Sequence, residues 1–334
     1  MNLRTLVAIT GFAISALAPT AWAGAAVDTH TPPHKMIDLA GYPVPVVAGG
    51  LYDRYRSNPP LSVIQMESPT TDLSWFRTLQ KTKVDIGFES YSPNFYYENT
   101  LVTAVFTADM ERLRELMPAK VLEQVQPIQI WPGRGLVALT AYAYHYCDND
   151  SYNEFALSIV VNQPGKSNLG PISLVGQVMS KDMWGYVLKL PVDTELARVS
   201  GVVGYNLPKW LTKIDYRKTE SSVIFEIADA KTGARDLVLE TRKLDDVSNE
   251  PSLVKNSFIN LNRTGQLSSG YAVSRKMSHG SSFSADSVKL QLSDGSLSTF
   301  IKSLKLGRMI QYQYVPSFQS ALYAPKPLVV PFAK

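Results

Sequence analysis

The hydrophobic positions of this chain repeat mainly with the period of two that is typical of β-strands. From residue 101 onward, short stretches rich in β-branched and aromatic residues recur, each bounded by Gly, Pro, Asn or Asp. The linker DAKTGA, which joins the stretches SSVIFEI and DLVLETR, predicts a hairpin. We predict strands at Leu101–Phe106 and in the stretches GLVALTAYAYHY, EFALSIVV, ISLVGQVM, WGYVLKLPV, SSVIFEI, DLVLETR, SLVKNSFINL, SVKLQLS and RMIQYQYV.

Two stretches have helical spacing instead. In DMERLRELMP, apolar residues recur every three positions between Asp109 near the start and Pro118 at the end. DTELARVSGVVG predicts a second helix, with Asp193 or Thr194 as its N-cap. Many strands with few helices predict a mainly β (α+β) fold, in which a β-barrel or sandwich carries a few flanking helices.

The N-terminal region differs from the rest of the chain. Residues 1–23 resemble a signal peptide, since Arg4 precedes the apolar run LVAITGFAISALA and Ala21-Trp22-Ala23 offers a cleavage site. Residues 24–90 are rich in Pro, Gly, Ser and aromatics, which predicts an irregular extension. Residues 91–334 are predicted to form the barrel domain. We therefore expect an exported protein, periplasmic or secreted, and no later segment is apolar enough to predict a membrane span.

Composition narrows the function classes. The chain has 33 Lys and Arg against 29 Asp and Glu, and losing Arg4 with the signal leaves 32 − 29 = +3. These charges are scattered and form no basic stripe, so no nucleic-acid partner is expected. Cys147 is the single cysteine, which excludes an intramolecular disulfide and predicts an ordinary hydrophobic core.

Several common motifs are absent or incomplete. GRGLVA follows Pro132 and precedes an alternating aromatic stretch, whereas a dinucleotide fingerprint requires a helix there. DNDSYNE lacks the glycine and the twelfth acidic position of a calcium loop, and the spacing of His145 and Cys147 fits no closed zinc site. No G-x-S-x-G is present. We predict neither a metal nor an organic cofactor.

Four stretches together resemble the acetoacetate decarboxylase-like superfamily. TLVTAVFTADMERLRELMP resembles the strand and helix that open the family, SYNEF its Tyr-x-Glu, GYNLPKW its Tyr-Pro-Lys, and RMIQYQYVPSFQSALYAP its last strand and tail. Their order spans Asn99 to Pro325, roughly two-thirds of the chain. The resemblance implies a β-barrel with flanking helices, a homo-oligomer, and a small-molecule keto acid or related keto compound as substrate.

The resemblance also implies site residues. Lys209 falls on the lysine that forms the Schiff base, and Glu154 on the active-site glutamate that handles protons or orients the substrate. A free amine is needed to attack a ketone, yet at a reference pKa near 10.4 only about one lysine in a few thousand is neutral at pH 7. Activation therefore requires burial or a neighbouring cation. The predicted pocket residues are Trp210, Lys213, Tyr205 and Tyr152.

This sequence departs from the family pattern at several positions. Trp210 replaces the second lysine that follows the Schiff-base lysine in decarboxylases, and Lys213 is the next amine, able to face Lys209 only in a helical turn. Val202 and Val203 align with the family's Arg-Glu pair. Two interpretations stay open. One is a Schiff-base-forming lyase, by decarboxylation or aldol-type chemistry, and the alternative is a non-catalytic barrel that binds a small molecule.

Overall fold

Strands dominate the structure. The computed structural model describes residues 33–262 and 264–328, so the predicted signal peptide lies outside the described residues. In chain order the strands are β1 (His34–Leu39), β2 (Tyr42–Val47), β3 (Thr82–Asp85), β4 (Glu89–Ser92), β5 (Asn94–Asp109), β6 (Arg134–Cys147), β7 (Tyr152–Val160), β8 (Asp182–Val192), β9 (Lys209–Leu211), β10 (Ile214–Lys218), β11 (Ser222–Ala228), β12 (Arg235–Arg242), β13 (Ser252–Leu261), β14 (Leu267–Ser282), β15 (Val288–Leu292) and β16 (Met309–Pro327).

The helices are short. They are α1 (Leu51–Tyr55), α2 (Leu61–Glu67), α3 (Met110–Glu115), α4 (Ala119–Leu122), α5 (Pro171–Ser180), α6 (Glu195–Val199) and α7 (Ser296–Ser303). A π-helical turn, Ser200–Gly204, continues α6. Among the described residues, no helix combines the length and apolar character needed to cross a membrane.

Seven strands close into a barrel. They pair in the order β13-β14-β16-β5-β6-β7-β8, and a parallel pairing of the start of β8 with the middle of β13 closes the ring. The other end of β8 pairs instead with β9, also in parallel. The predicted mainly β barrel with flanking helices is therefore confirmed.

The main hydrophobic core lies outside the barrel wall. A second sheet, β10-β11-β12-β15, packs against it. Alternate residues of β6 and β7, such as Leu139 and Leu157, meet Phe225 and Leu239 of this second sheet there. Because successive strand residues point to opposite faces, the intervening residues face the barrel interior.

Residues 33–90, expected as an irregular extension, contain two hairpins and two short helices. The hairpins are β1–β2 and β3–β4. Ile64 and Phe76 are fully buried and pack against Phe95 and Tyr97 of β5. This segment therefore shares a core with the barrel.

Both predicted helices are present, whereas one predicted strand is wrong. The Asp109 side chain caps α3, and Thr194 caps α6. ISLVGQVM forms helix α5 rather than a strand. Pro171 occupies its first turn, where the missing N–H costs nothing, and the buried Gln177 bonds the carbonyl of Val161.

Candidate active site

The barrel encloses a cavity of about 420 Å3. Its wall follows the alternation of the strands. The inward residues include Leu101, Thr103 and Val105 of β5, Ala138, Thr140, Tyr142 and Tyr144 of β6, and Tyr152, Glu154, Ala156 and Ser158 of β7. Most of this lining is apolar or aromatic, so a charged group placed here is desolvated.

Lys209 and Glu154 meet in this cavity. The Lys209 ammonium donates to Glu154 Oε2 at 2.6 Å, although the two residues lie 55 positions apart. Their side chains are only 7% and 9% exposed. The structure thus brings together the two residues that the sequence resemblance assigns to catalysis.

The backbone around Lys209 explains this placement. The π-helical turn ends at Gly204, and after a short connection β9 begins at Lys209, which pairs with Leu190 of β8. Gly201, in that turn, lies against the lysine side chain, so that a Cβ there would be 2.3 Å from Lys209 Cδ and 2.5 Å from Cε. Such turns are frequent at functional sites. The sequence reasoning missed Gly201, whose role depends on a contact across the fold.

Tyrosines surround the ion pair. The hydroxyls of Tyr96 and Tyr152 lie 3.1 Å apart, and the Lys209 ammonium lies 5.6 Å from the Tyr152 ring centre. Burial raises the pKa of Tyr96, Tyr144 and Tyr152 well above the ordinary range, and the negative charge of Glu154 adds to this. These phenols therefore stay protonated and can donate hydrogen bonds to a substrate oxygen.

A second carboxyl group lies next to Glu154 in the structure. Asp193 accepts hydrogen bonds from the backbone N–H and the side-chain amide of Asn153, both at 2.8 Å. Burial raises the pKa of Asp193, these bonds partly offset that effect and the charge of Glu154 adds to it, so that the pKa is about 6. The bonds hold the start of β7 against the end of β8, which fixes the direction of the Glu154 side chain.

The other predicted pocket residues do not line the cavity, except Tyr152. Trp210 follows Lys209 on a strand, so its indole points to the opposite face and packs in the main core. Tyr205 is buried beside Leu207 and Leu190, behind the wall. Lys213 is 74% exposed and pairs with Asp215, because β9 forms where the helical turn was considered.

The acidic turn DNDSYNE has a structural role. Asp148 is fully buried and binds the Lys81 ammonium at 2.5 Å. In the part of the chain that the structure describes, no three His, Cys, Asp or Glu side chains are grouped so that they could hold a metal ion.

Comparison with known proteins identifies the fold. No protein-family model and no curated protein sequence matches the chain. An acetoacetate decarboxylase from Legionella pneumophila is 13% identical with a TM-score of 0.50, covering 72% of this chain and 89% of that chain. An enduracididine biosynthesis enzyme complexed with pyruvate is 13% identical, with a TM-score of 0.48 and coverage of 72% and 91%. An acetoacetate decarboxylase-like enzyme from Sphingomonas wittichii is 15% identical, with a TM-score of 0.43 and coverage of 74% and 97%.

The protein thus has the acetoacetate decarboxylase fold. This confirms, at the level of the fold, the resemblance found in the sequence. The comparisons name no substrate for this chain, so its chemistry has to be argued from its own residues.

Proposed function

We propose that the protein is a Schiff-base-forming lyase acting on a small keto acid or keto compound, with Lys209 as the amine and Glu154 as its proton partner. One observation carries this proposal: a buried lysine and a buried carboxylate are 2.6 Å apart inside a cavity. Burying an ammonium group costs desolvation free energy, which most lysines avoid because they lie at the protein surface.

The chemistry follows from the pair. Lys209 passes a proton to Glu154, which leaves a free amine beside a carboxylic acid. The free amine adds to the ketone carbon, and the resulting alcohol leaves as water after taking the proton back from Glu154. The iminium formed accepts the electron pair released when a β-carboxylate departs as carbon dioxide. Protonation of the enamine carbon and hydrolysis then free the product and Lys209.

The surrounding residues support this sequence of steps. The phenols of Tyr96 and Tyr152 can donate to the carbonyl oxygen as charge develops on it. Apolar side chains such as Leu190 and Leu207 exclude bulk water near Lys209. No described residue supplies a second cation beside Lys209, since Lys213 is exposed. Activation here would rest on burial and on Glu154.

Borohydride trapping tests the proposal. In the presence of a keto acid, borohydride should reduce the imine to a stable secondary amine, and mass spectrometry of peptides should locate it on Lys209. Lys209→Ala should abolish both the adduct and turnover, whereas Lys213→Ala, a nearby exposed amine, should change neither. Turnover that persists in Lys209→Ala would overturn the proposal.

One observation favours the alternative, a non-catalytic binding barrel. Lys209 is held by a carboxylate and lacks the neighbouring lysine that the family pattern provides. If this is the function, Lys209→Ala should still bind keto compounds tightly and the wild type should form no adduct. Calorimetric titration of both proteins distinguishes the two functions.

A further inference from the structure

The same cavity contains a second lysine that the mechanism does not use. Lys276 of β14 and Lys181, directly before β8, both line it. Lys209 pairs with Leu190 near the end of β8, whereas Lys276 pairs with Ser252 at the start of β13, beside the beginning of β8. The two lysines therefore lie toward opposite ends of β8.

Lys276 is a half-buried cation without a carboxylate counter-ion among the described residues. Its ammonium donates to Gln313 Oε1 at 2.8 Å, and no carboxylate of the described residues lies within ion-pair distance of it. The nearby Asp182 is already bonded to Lys255 and Ser257.

The surroundings of Lys276 add positive charge. Burial and, to a lesser extent, the charge of Lys181 together lower the pKa of Lys276 to about 8. Burial is the main cause that lowers the pKa of His279, and the charges of Lys276 and Lys181 lower it as well. At neutral pH Lys276 is still mainly protonated. A positive charge held in a cavity without an anion is costly, and a bound anion would offset that cost.

The size of the cavity is consistent with an additional ligand group. The cavity of about 420 Å3 extends from Lys209 and Glu154 to Lys181, Lys276 and Gln313, so its lining continues well beyond the ion pair. Between the two lysines the wall is lined by small and apolar residues, including Ala138, Ala156, Ala272 and Val187. An aliphatic chain fits such a wall.

We propose that Lys276, with Lys181 and Gln313, binds the distal carboxylate of the substrate whose carbonyl reacts at Lys209. The substrate class is then an aliphatic oxo acid in which several methylenes separate the reacting carbonyl from this distal carboxylate, which is distinct from the β-carboxylate that departs in the decarboxylation route. This inference rests on the proposed function, because the carboxylate bound by Lys276 belongs to the same substrate whose carbonyl reacts with Lys209.

Unbranched oxo acids of increasing length, each compared with its methyl ester, test the subsite. The concentration needed for half-maximal borohydride trapping on Lys209 is measured for each. A charge-assisted hydrogen bond predicts that the long acids need roughly 10- to 100-fold less than their esters in the wild type. In Lys276→Met the acids should lose this advantage. Lys289→Met, which removes an exposed lysine of β15, should keep it.

Equal trapping of acid and ester by the wild type would overturn the subsite, and so would an unchanged preference in Lys276→Met. An adduct on Lys276 itself would also overturn it, since this residue would then be the reacting amine. Lys276→Gln, which retains a polar side chain, and thermal unfolding of each variant show whether a loss reflects misfolding.

A separate measurement keeps the subsite testable if no ketone is trapped and the proposed function fails. Decanoate, a saturated carboxylate without a carbonyl group that could react, is titrated into the wild type, Lys276→Met and Lys289→Met by calorimetry. Binding that is lost only in Lys276→Met supports the anion subsite without any imine chemistry. Absence of decanoate binding to the wild type would then overturn it.

Discussion

At the scale of single residues, Glu154 is the group on which the proposed proton transfers depend. Its Oε2 lies 2.6 Å from the Lys209 ammonium. Glu154→Gln keeps the size of the side chain but cannot take up the proton, so we expect turnover to fall roughly 100- to 10,000-fold. Steady-state kinetics with a keto acid substrate checks this.

An exposed acid provides the control for Glu154. Glu220→Gln makes the same chemical change on the surface and should leave turnover unchanged. Near-normal turnover in Glu154→Gln would remove Glu154 from the mechanism and leave it a purely structural partner of Lys209.

Lys276 should lower the free energy of unfolding of the ligand-free protein, even though it contributes to binding of the substrate carboxylate. Its pKa is lowered to about 8 in the folded protein, below the ordinary value of 10.5. Below pH 8 both states are protonated and the buried charge costs stability in full. Between pH 8 and 10.5 the unfolded chain binds more protons, so stability rises with pH. We expect Lys276→Met to raise the free energy of unfolding at pH 7 by about 1–3 kcal/mol. The variant should also lack the increase in stability that the wild type shows between pH 8 and 10.5.

Urea unfolding at a series of pH values measures both effects. Lys289→Met is the matched control, because it removes the same charge from an exposed position. A Lys276→Met protein less stable than the wild type at pH 7 would show that the lysine has a stabilising partner, which contradicts the unpaired cation.

At the scale of elements, the π-helical turn at Ser200–Gly204 should set the position of Lys209. Gly201→Ala would place a Cβ 2.3 Å from Lys209 Cδ, closer than nonbonded atoms approach, so the lysine stem must move. A displacement of about 1 Å can cost roughly 100-fold in rate, and we expect a loss of this order in trapping on Lys209.

Gly176 of α5 provides the matched glycine control. No atom lies within 4 Å of a Cβ built there, and the residue is inside a helix. Gly176→Ala should therefore stabilise the protein by about 0.5–1 kcal/mol and leave trapping unchanged. If Gly201→Ala traps as well as the wild type, the turn does not position the lysine.

The elements also show what the sequence could predict. β6 and β11 are rich in β-branched or aromatic residues, and β11 also alternates in burial, so their local sequence pattern predicted them. β14 was missed because LSSGYAVSRKMSHGSS is rich in Ser and Gly and its pairing with β13 and β16 is a long-range property. α5 was mistaken for a strand because ISLVGQVM is short and rich in the β-branched residues Ile and Val.

Whether a site residue could be predicted from the sequence depends on the element that carries it. The ordered resemblance to the family assigned Lys209 and Glu154 to the site. The separation of these two residues in the sequence carries no such signal by itself. Lys276 lies on the missed strand, and Gly201 matters only through a contact with Lys209. Neither has a local signal. Trp210 was expected near the amine, but strand alternation turns it away.

At the scale of the whole molecule, we predict that residues 1–23 are a signal peptide and that cleavage leaves Gly24 as the new N-terminus. Expression of the full chain in a Gram-negative bacterium, followed by mass spectrometry of the periplasmic fraction, checks the new N-terminus. Ala23→Phe places a large residue at the predicted cleavage site and should leave the leader attached. A cytoplasmic, unprocessed wild-type protein would contradict export.

The N-terminal segment and the barrel should unfold as one unit, because a buried ion pair joins them. The Lys81 ammonium binds Asp148 Oδ2 at 2.5 Å, with side chains 9% and 0% exposed. Asp148 also accepts from the backbone N–H of Phe95 and the hydroxyl of Tyr97. Burial raises the pKa of Asp148 and lowers that of Lys81, and their mutual attraction opposes both shifts. Removing only one partner leaves an uncompensated charge in the shared core.

We therefore expect Lys81→Met to lower the free energy of unfolding by about 3–5 kcal/mol, in a single transition followed by both tryptophan fluorescence and circular dichroism. Lys81→Met combined with Asp148→Asn should recover part of this loss, since no buried charge is then left. Lys35→Met, which removes an exposed pair with Asp53 from the same segment, should leave the urea midpoint nearly unchanged. If Lys81→Met instead melts the N-terminal segment in a separate, earlier transition, the segment is an independent unit and the barrel folds without it.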